Sequence, residues 1–163
     1  MNEIYFFGEN KPNGYLSNFY PVSFEENGIL FNCSEQYFMY RKCITFEPNN
    51  SQLLQEILQE SIPKKVKSLG RQVKNFNENI WNENKYEIMK NALILKFTQN
   101  RELLEKLFQT GNSHLYEASP YDRIWGIGYS SRDAPYNRKK YGQNLLGKCL
   151  MEVREELKKR RKI

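Results

Sequence analysis

Four large apolar or aromatic residues, Tyr37, Phe38, Met39 and Tyr40, stand consecutively inside EQYFMYRKCITF, a segment that otherwise reads as helix. Successive residues turn about 100° around a helix axis, so four in a row cover most of its circumference. The segment is therefore expected to be buried nearly all round. The same helix carries Glu35 and Lys42, which with Met39 follow i, i+4, i+7 spacing and share one face. A Glu and a Lys on one face are commonly solvated. On a buried helix, however, charges are costly unless paired, and must face each other, a cavity or a ligand.

The flanking segments supply what such a helix packs against. Residues 3–7 (EIYFF) read as a short strand, and YLSNFYPVSFEENGILFN as a hairpin turning at Asn27-Gly28, which accommodates two positive φ angles. Ser34 is placed to cap the helix that follows. SQLLQEILQES has Leu53, Leu54, Ile57 and Leu58 on one stripe, and Pro63 suits the first turn of a helix through IPKKVKSLGRQV. NENKYEIMKNALILKFTQN is a long helix with Ile88, Met89, Ala92, Leu95 and Lys96 at helical spacing, and RELLEKLFQTG stops at Gly111. HLYEASPYDRIWGIGYSSRDAPYN reads as short strands and loops. QNLLGKCLMEVREELKKRRK is amphipathic, with Leu145, Leu146, Cys149, Leu150, Val153 and Leu157 inward. The expected class is α+β: one helix-rich domain over residues 1–163, with a small antiparallel sheet near its start.

The net charge of +6 first points to nucleic acid, but its distribution weakens that inference. Residues 154–163 hold six basic and two acidic side chains, leaving only +2 for the rest of the chain. Such a run reads as a frayed, solvated helix end. Cys33, Cys43 and Cys149 are odd in number and show no CxxC spacing, and the start lacks a signal peptide. The expected compartment is thus the cytoplasm, with no membrane partner. His114 is the sole histidine, and no Asp/Glu cluster has ligand spacing, so neither a metal nor a cofactor is expected. No phosphate-cradling GxxxxGK[ST] loop occurs either.

Beyond Glu35 and Lys42, three segments offer chemistry. In SPYDRIWGIG, Asp122 can act as acceptor or base, Trp125 as a stacking face and Gly126 as a point of close approach. The same pattern also fits a turn in which Asp122 caps its own backbone. In GRQVKNFNENIW, Arg71 can clamp a phosphate or lie on the surface, and Trp81 can be a ligand shelf or core. Asn18 in LSNFYP can bond a ligand or hold the turn.

Taken together, the blocks LSNFYP, SEQYFMYRKC, SLGRQVKNF, IMKNALILKFTQN, TGNSHLYEASPYDRIWGIG and GQNLLGKCLMEVR resemble the NADAR family, and its YbiA-like branch in particular. The resemblance implies N-glycosidic cleavage without a cofactor, at a bond from ribose C1 to an exocyclic amine. It marks Glu35, Lys42, Trp81, Asp122 and Trp125 as site positions. Arg41, Arg71, Asn18, Gly126 and Asn144 join them as expected substrate contacts. Tyr141 departs from the pattern, since relatives often have Trp before GxNxLG.

For the YbiA-like branch the implied substrate is a phosphoribosylamino-pyrimidine of early riboflavin synthesis. The alternatives are ADP-ribosyl guanine in DNA or RNA, and a module that binds ADP-ribose without turnover. Two routes fit the residues. A carboxylate, Glu35 or Asp122, can activate water while an acid protonates the departing nitrogen. Alternatively, Lys42 forms a Schiff base with the opened sugar, which water then clears. The second is favoured, because an apolar helix lowers a lysine pKa by desolvation.

Overall fold

The computed structural model describes residues 2–162; Met1 and Ile163 lie outside the described residues. In chain order the elements are strand β1 (Glu3–Phe6), β2 (Phe24–Glu26), β3 (Ile29–Phe31), helices α1 (Ser34–Phe46), α2 (Ser51–Gln59), α3 (Pro63–Gly70), α4 (Glu78–Thr98) and α5 (Arg101–Gln109), strand β4 (His114–Glu117) and helix α6 (Leu145–Arg161). The class is α+β, as expected. The chain divides into two compact units, residues 21–100 and the combination of residues up to 20 with those from 101 onward.

The unit of residues 21–100 is built around α1. β2 and β3 pair antiparallel across Asn27 (φ 53°) and Gly28 (φ 82°), with Phe24 opposite Phe31. Those two rings face inward and pack on Tyr37, with centroids 6.0 and 5.0 Å away. Tyr37, Phe38 and Met39 are buried and Tyr40 half-buried, so the all-round burial read from the sequence is largely realised. Helices α2, α3 and α4 and strand β3 all pack against α1.

Ser34 is not the cap. The chain stays extended through Cys33 (φ −172°, ψ 165°), so Ser34 is already helical and its Oγ is buried without a hydrogen-bond partner among the described residues. Gln36 holds the helix entry instead. Its Oε1 accepts the Asn32 N–H at 2.7 Å, and its Nε2 donates to the Ile57 carbonyl at 2.9 Å, tying the start of α1 to the end of α2. In α2 only Leu53 and Ile57 are buried, a narrower stripe than expected. The long helix α4 begins earlier than read, because the Asn77 side chain accepts the Ile80 N–H at 3.0 Å and caps it there. Lys96, on its inner face, is fully buried. Burial lowers its pKa to about 7, against the opposing charge of the nearby Cys33.

In the other unit β1 pairs with β4 in parallel, Glu3 beside His114 through Phe6 beside Glu117. The expectation of one small antiparallel sheet near the start therefore holds only for the hairpin. A parallel partner requires a long crossover, so no local turn signal announces it. Helix α6 packs on β4, burying Leu146, Cys149, Leu150, Val153 and Leu157, while Leu145 is half-buried. A tyrosine cluster covers Ala118, Ile127 and Ala134. Tyr141 belongs to it, donating to the Ala134 carbonyl at 3.0 Å and lying 3.0 Å from the Tyr5 hydroxyl.

The basic end of α6 is not frayed. Arg154 is 4% exposed and donates to the Ser113 carbonyl and the Thr110 hydroxyl, both at 2.9 Å. Lys158 reaches the Gly111 carbonyl at 3.1 Å, and Arg161 pairs with Glu105 at 2.5 Å while lying over the Phe108 ring. Three of the six basic side chains grip α5 and the turn after it, which charge counting alone does not reveal. No helix among the described residues is long and apolar enough to cross a membrane.

Candidate active site

Glu35 lies in the first turn of α1, 7% exposed, on a helix enclosed by its neighbours. Lys42, two turns on, is half-buried, with its Nζ 5.0 Å from the centroid of the Phe76 ring. Its pKa is lowered, chiefly by burial and further by the charge of Arg71, while the charge of Glu35 acts in the opposite sense. These three side chains therefore form one electrostatic cluster within the 21–100 unit.

Packing between α1 and α3 brings Arg71 there. A Cβ on Gly70 would overlap the Met39 sulfur, so with this glycine the end of α3 closes on α1 without displacing the Met39 side chain. Arg71 follows immediately and is exposed. The spacing of Glu35, Met39 and Lys42 was readable from sequence. The role of Met39 as the surface against which Gly70 closes was not.

Arg41 points elsewhere. Its NH1 donates to the Tyr37 hydroxyl at 2.7 Å, and the Glu26 carboxylate lies 4.0 Å away. Tyr37 donates to Glu26 at 3.0 Å, and Asn91 donates to both at 2.6 and 2.9 Å. This part-buried network was missed from sequence because its members come from three separate elements. Trp81 is 8% exposed, its ring 5.0 Å from Phe38 and 6.1 Å from Phe46. It forms part of the aromatic core behind α1.

Asp122, Trp125, Gly126 and Asn144 belong to the other unit. The Asp122 Oδ1 accepts the N–H groups of Ile124 and Trp125, at 2.8 and 2.9 Å, so its carboxylate caps its own loop. The loop is laced to the start of α6: Gln143 N–H to Arg123 O at 2.7 Å, Asn144 N–H to Gly126 O at 3.1 Å and Leu146 N–H to Trp125 O at 3.0 Å. A Cβ on Gly126 would stand 2.9 Å from the Glu117 carbonyl, so this glycine permits backbone to pack on backbone. Asn144 is 5% exposed and takes the left-handed conformation (φ 52°). Its amide accepts the Glu117 N–H and donates to the Leu115 carbonyl, each at 3.0 Å, which ties β4 to α6. The Asn18 Oδ1, by contrast, is buried without a hydrogen-bond partner among the described residues.

Two surface cavities in this unit, of about 620 and 330 Å³, are lined by none of the residues singled out from sequence. The larger lies beside Asn2–Ile4 and the turn after α5 and is mostly open. No group of three His, Cys, Asp or Glu side chains among the described residues could hold a metal ion.

Comparison with known proteins places the chain in a family. The model of the NADAR domain matches residues 5–158. The chain belongs to the NADAR domain family. Within it, the chain is 42% identical to N-glycosidase R617 of Acanthamoeba polyphaga mimivirus, over 94% of this chain and 95% of that one. It is 31% identical to the longer riboflavin biosynthesis protein VVA0006 of Vibrio vulnificus, over 94% of this chain and 38% of that one. The NMR structure of YbiA from E. coli superposes with a TM-score of 0.80 at 29% identity, covering 98% of this chain and 87% of that one. The NADAR fold thus extends over nearly the whole chain.

Proposed function

We propose that this protein hydrolyses the bond from ribose C1 to the exocyclic amine of a phosphoribosylamino-pyrimidine, with Lys42 as nucleophile and Glu35 as acid and base. The coarser statement stands on its relatives: the chain is an enzyme that hydrolyses N-glycosyl bonds, as the mimiviral relative is named. The riboflavin link comes from the name of the Vibrio relative. The observation that carries the assignment of roles is the Glu35–Lys42–Arg71 cluster, whose lysine is both desolvated and beside a carboxylate.

A lysine nucleophile must reach its neutral form, and burial together with the Arg71 charge favours that form. In the proposed sequence the sugar ring opens, leaving an imine between C1 and the base nitrogen. The Lys42 amine adds to C1 and the base amine departs with a proton delivered by Glu35, leaving a lysine–sugar imine. Water then adds to C1, Glu35 taking its proton, and collapse frees ribose 5-phosphate and the Lys42 amine. Arg71, exposed beside this cluster, suits a phosphate bidentately. Asp122, Trp125, Gly126 and Asn144 act by shaping the loop that carries them, and Trp81 by supporting α1 from behind.

Half of the tail's basic residues, Arg154, Lys158 and Arg161, are engaged within the molecule, which weakens the nucleic-acid alternative. A turnover assay offering the aminopyrimidine ribosylamine phosphate beside ADP-ribosylated guanine DNA tests the reading, with released sugar followed by mass spectrometry. Release from the small substrate, lost in Lys42→Arg, is the expected result. Release from the DNA alone would overturn the substrate assignment, and an active Lys42→Arg enzyme the assignment of the nucleophile.

A further inference from the structure

Phe76 is a large aromatic residue that its own packing leaves half exposed. It is 46% exposed, although burying such a side chain is worth about 1.5–3 kcal/mol. One isolated exposed aromatic calls for no explanation, but this one is held in place. Two residues before it, the Lys74 N–H donates to the Glu47 Oε1 at 2.5 Å, and Glu47 is itself bonded to Asn50 at 3.2 Å. Immediately before it, Asn75 takes φ 61°, a conformation that is uncommon for a residue other than glycine. Immediately after it, Asn77 caps α4. A short segment fixed on both sides and turned through a left-handed residue thus presents one half-exposed ring.

The surroundings of that ring give it a task. Phe46 backs it with centroids 5.2 Å apart at 58°, and behind Phe46 lies Trp81. The Lys42 Nζ stands 5.0 Å from its centroid. The ring therefore has Phe46 tilted against it, the candidate nucleophile over its face, and open surface left over for an offset stack. We infer that Phe76 is the stacking face for the heteroaromatic base of the substrate and a determinant of specificity for planar bases. This deepens the proposed function and rests on it, because the scissile C1 lies one nitrogen away from the base ring. A base stacked on Phe76 holds C1 near its own edge, on the side where the Lys42 amine stands. Offset stacking at centroid separations of about 4.5–7 Å satisfies both requirements. The reaction then selects flat, amine-bearing rings without base-specific hydrogen bonds from Phe76.

The test compares Phe76→Ala and Phe76→Tyr with the unaltered protein in three measurements. These are binding of the free diaminopyrimidine product by equilibrium dialysis, KM and kcat with the ribosylated substrate, and borohydride trapping of ribose 5-phosphate, which carries no base. The expected result is base binding and KM weakened tenfold or more in Phe76→Ala, restored within about twofold in Phe76→Tyr, with trapping on Lys42 unchanged within about threefold. Base binding equal to wild type in a folded Phe76→Ala protein would overturn the inference, whatever happens to kcat. Equal loss of base binding and of ribose 5-phosphate trapping would also overturn it, since the ring would then only support α1. Failure of trapping in the wild type would remove Lys42 as nucleophile, while the base-binding comparison still decides Phe76.

Discussion

The two segments richest in candidate chemistry have opposite fates. On α1, Glu35 and Lys42 sit in a buried setting where charge perturbs charge and a half-exposed ring lies alongside. In the loop from Asp122 to Gly126 and at the start of α6 laced to it, the polar groups are turned inward, Asp122 onto its own backbone and Asn144 onto β4. Both segments look equally catalytic as strings of letters. What separates them is the setting: burial and neighbouring charges act on Lys42, whereas Asp122 is bonded to the backbone of its own loop. An aspartate accepting two backbone N–H groups at 2.8–2.9 Å is fixed in place, and its removal changes a loop before it changes a reaction.

The sharpest way to break this comparison is to remove one member from each side. Lys42→Ala is expected to lower kcat by a factor on the order of a thousand or more while leaving the unfolding midpoint near that of the wild type. Asp122→Ala is expected to do the reverse, costing about 1–3 kcal/mol in denaturant unfolding through two orphaned N–H groups, with kcat within about tenfold. A thousandfold loss of kcat in a stable Asp122→Asn protein would erase the distinction.

Much of the first segment was legible. Four bulky residues in a row announced a buried helix, and the i, i+7 spacing put Glu35 and Lys42 on one face. The residues that gather at this face come from afar in sequence, Arg71 through the Gly70–Met39 contact and Phe76 through a loop clamped by Glu47. No local periodicity encodes such meetings. The second segment was legible only as a pair of alternatives, cap or base. Parallel pairing of β1 with β4 and the grip of Arg154 on the turn after α5 were hidden for the same reason, both being long-range.

A smaller effect sharpens the scaffold side. Asn144→Ala leaves the Glu117 N–H and Leu115 carbonyl without their partner and is expected to cost about 1–3 kcal/mol. Its measure is the shift of the denaturant midpoint, with the acid limb of the pH–rate profile unmoved.

That limb sharpens the other side. If neutral Lys42 is required, activity rises with pH through its lowered pKa, so the limb lies below the range of an ordinary lysine. The Arg71 charge helps to lower that pKa, so Arg71→Gln moves the limb to higher pH. The Glu35 charge raises it, so Glu35→Gln moves any residual activity to lower pH. Shifts of the opposite sign, read from log(kcat/KM) against pH, would contradict the cluster.

The smallest effect concerns Lys96, whose folded pKa near 7 lies below the value of an unfolded lysine. Between these values the unfolded chain binds the extra proton. Stability should therefore rise as pH increases from 7 towards 9, and Lys96→Met should flatten that rise in urea unfolding.

The most direct test of the central claim is reductive trapping during turnover. The protein is mixed with the aminopyrimidine ribosylamine phosphate and borohydride, digested, and its peptides weighed. A pentose phosphate adduct on Lys42, absent from Glu35→Gln when substrate is limiting and from Lys42→Arg always, is the predicted result. Full turnover with no adduct on any lysine, or an adduct on another lysine with Lys42→Arg still active, would contradict it.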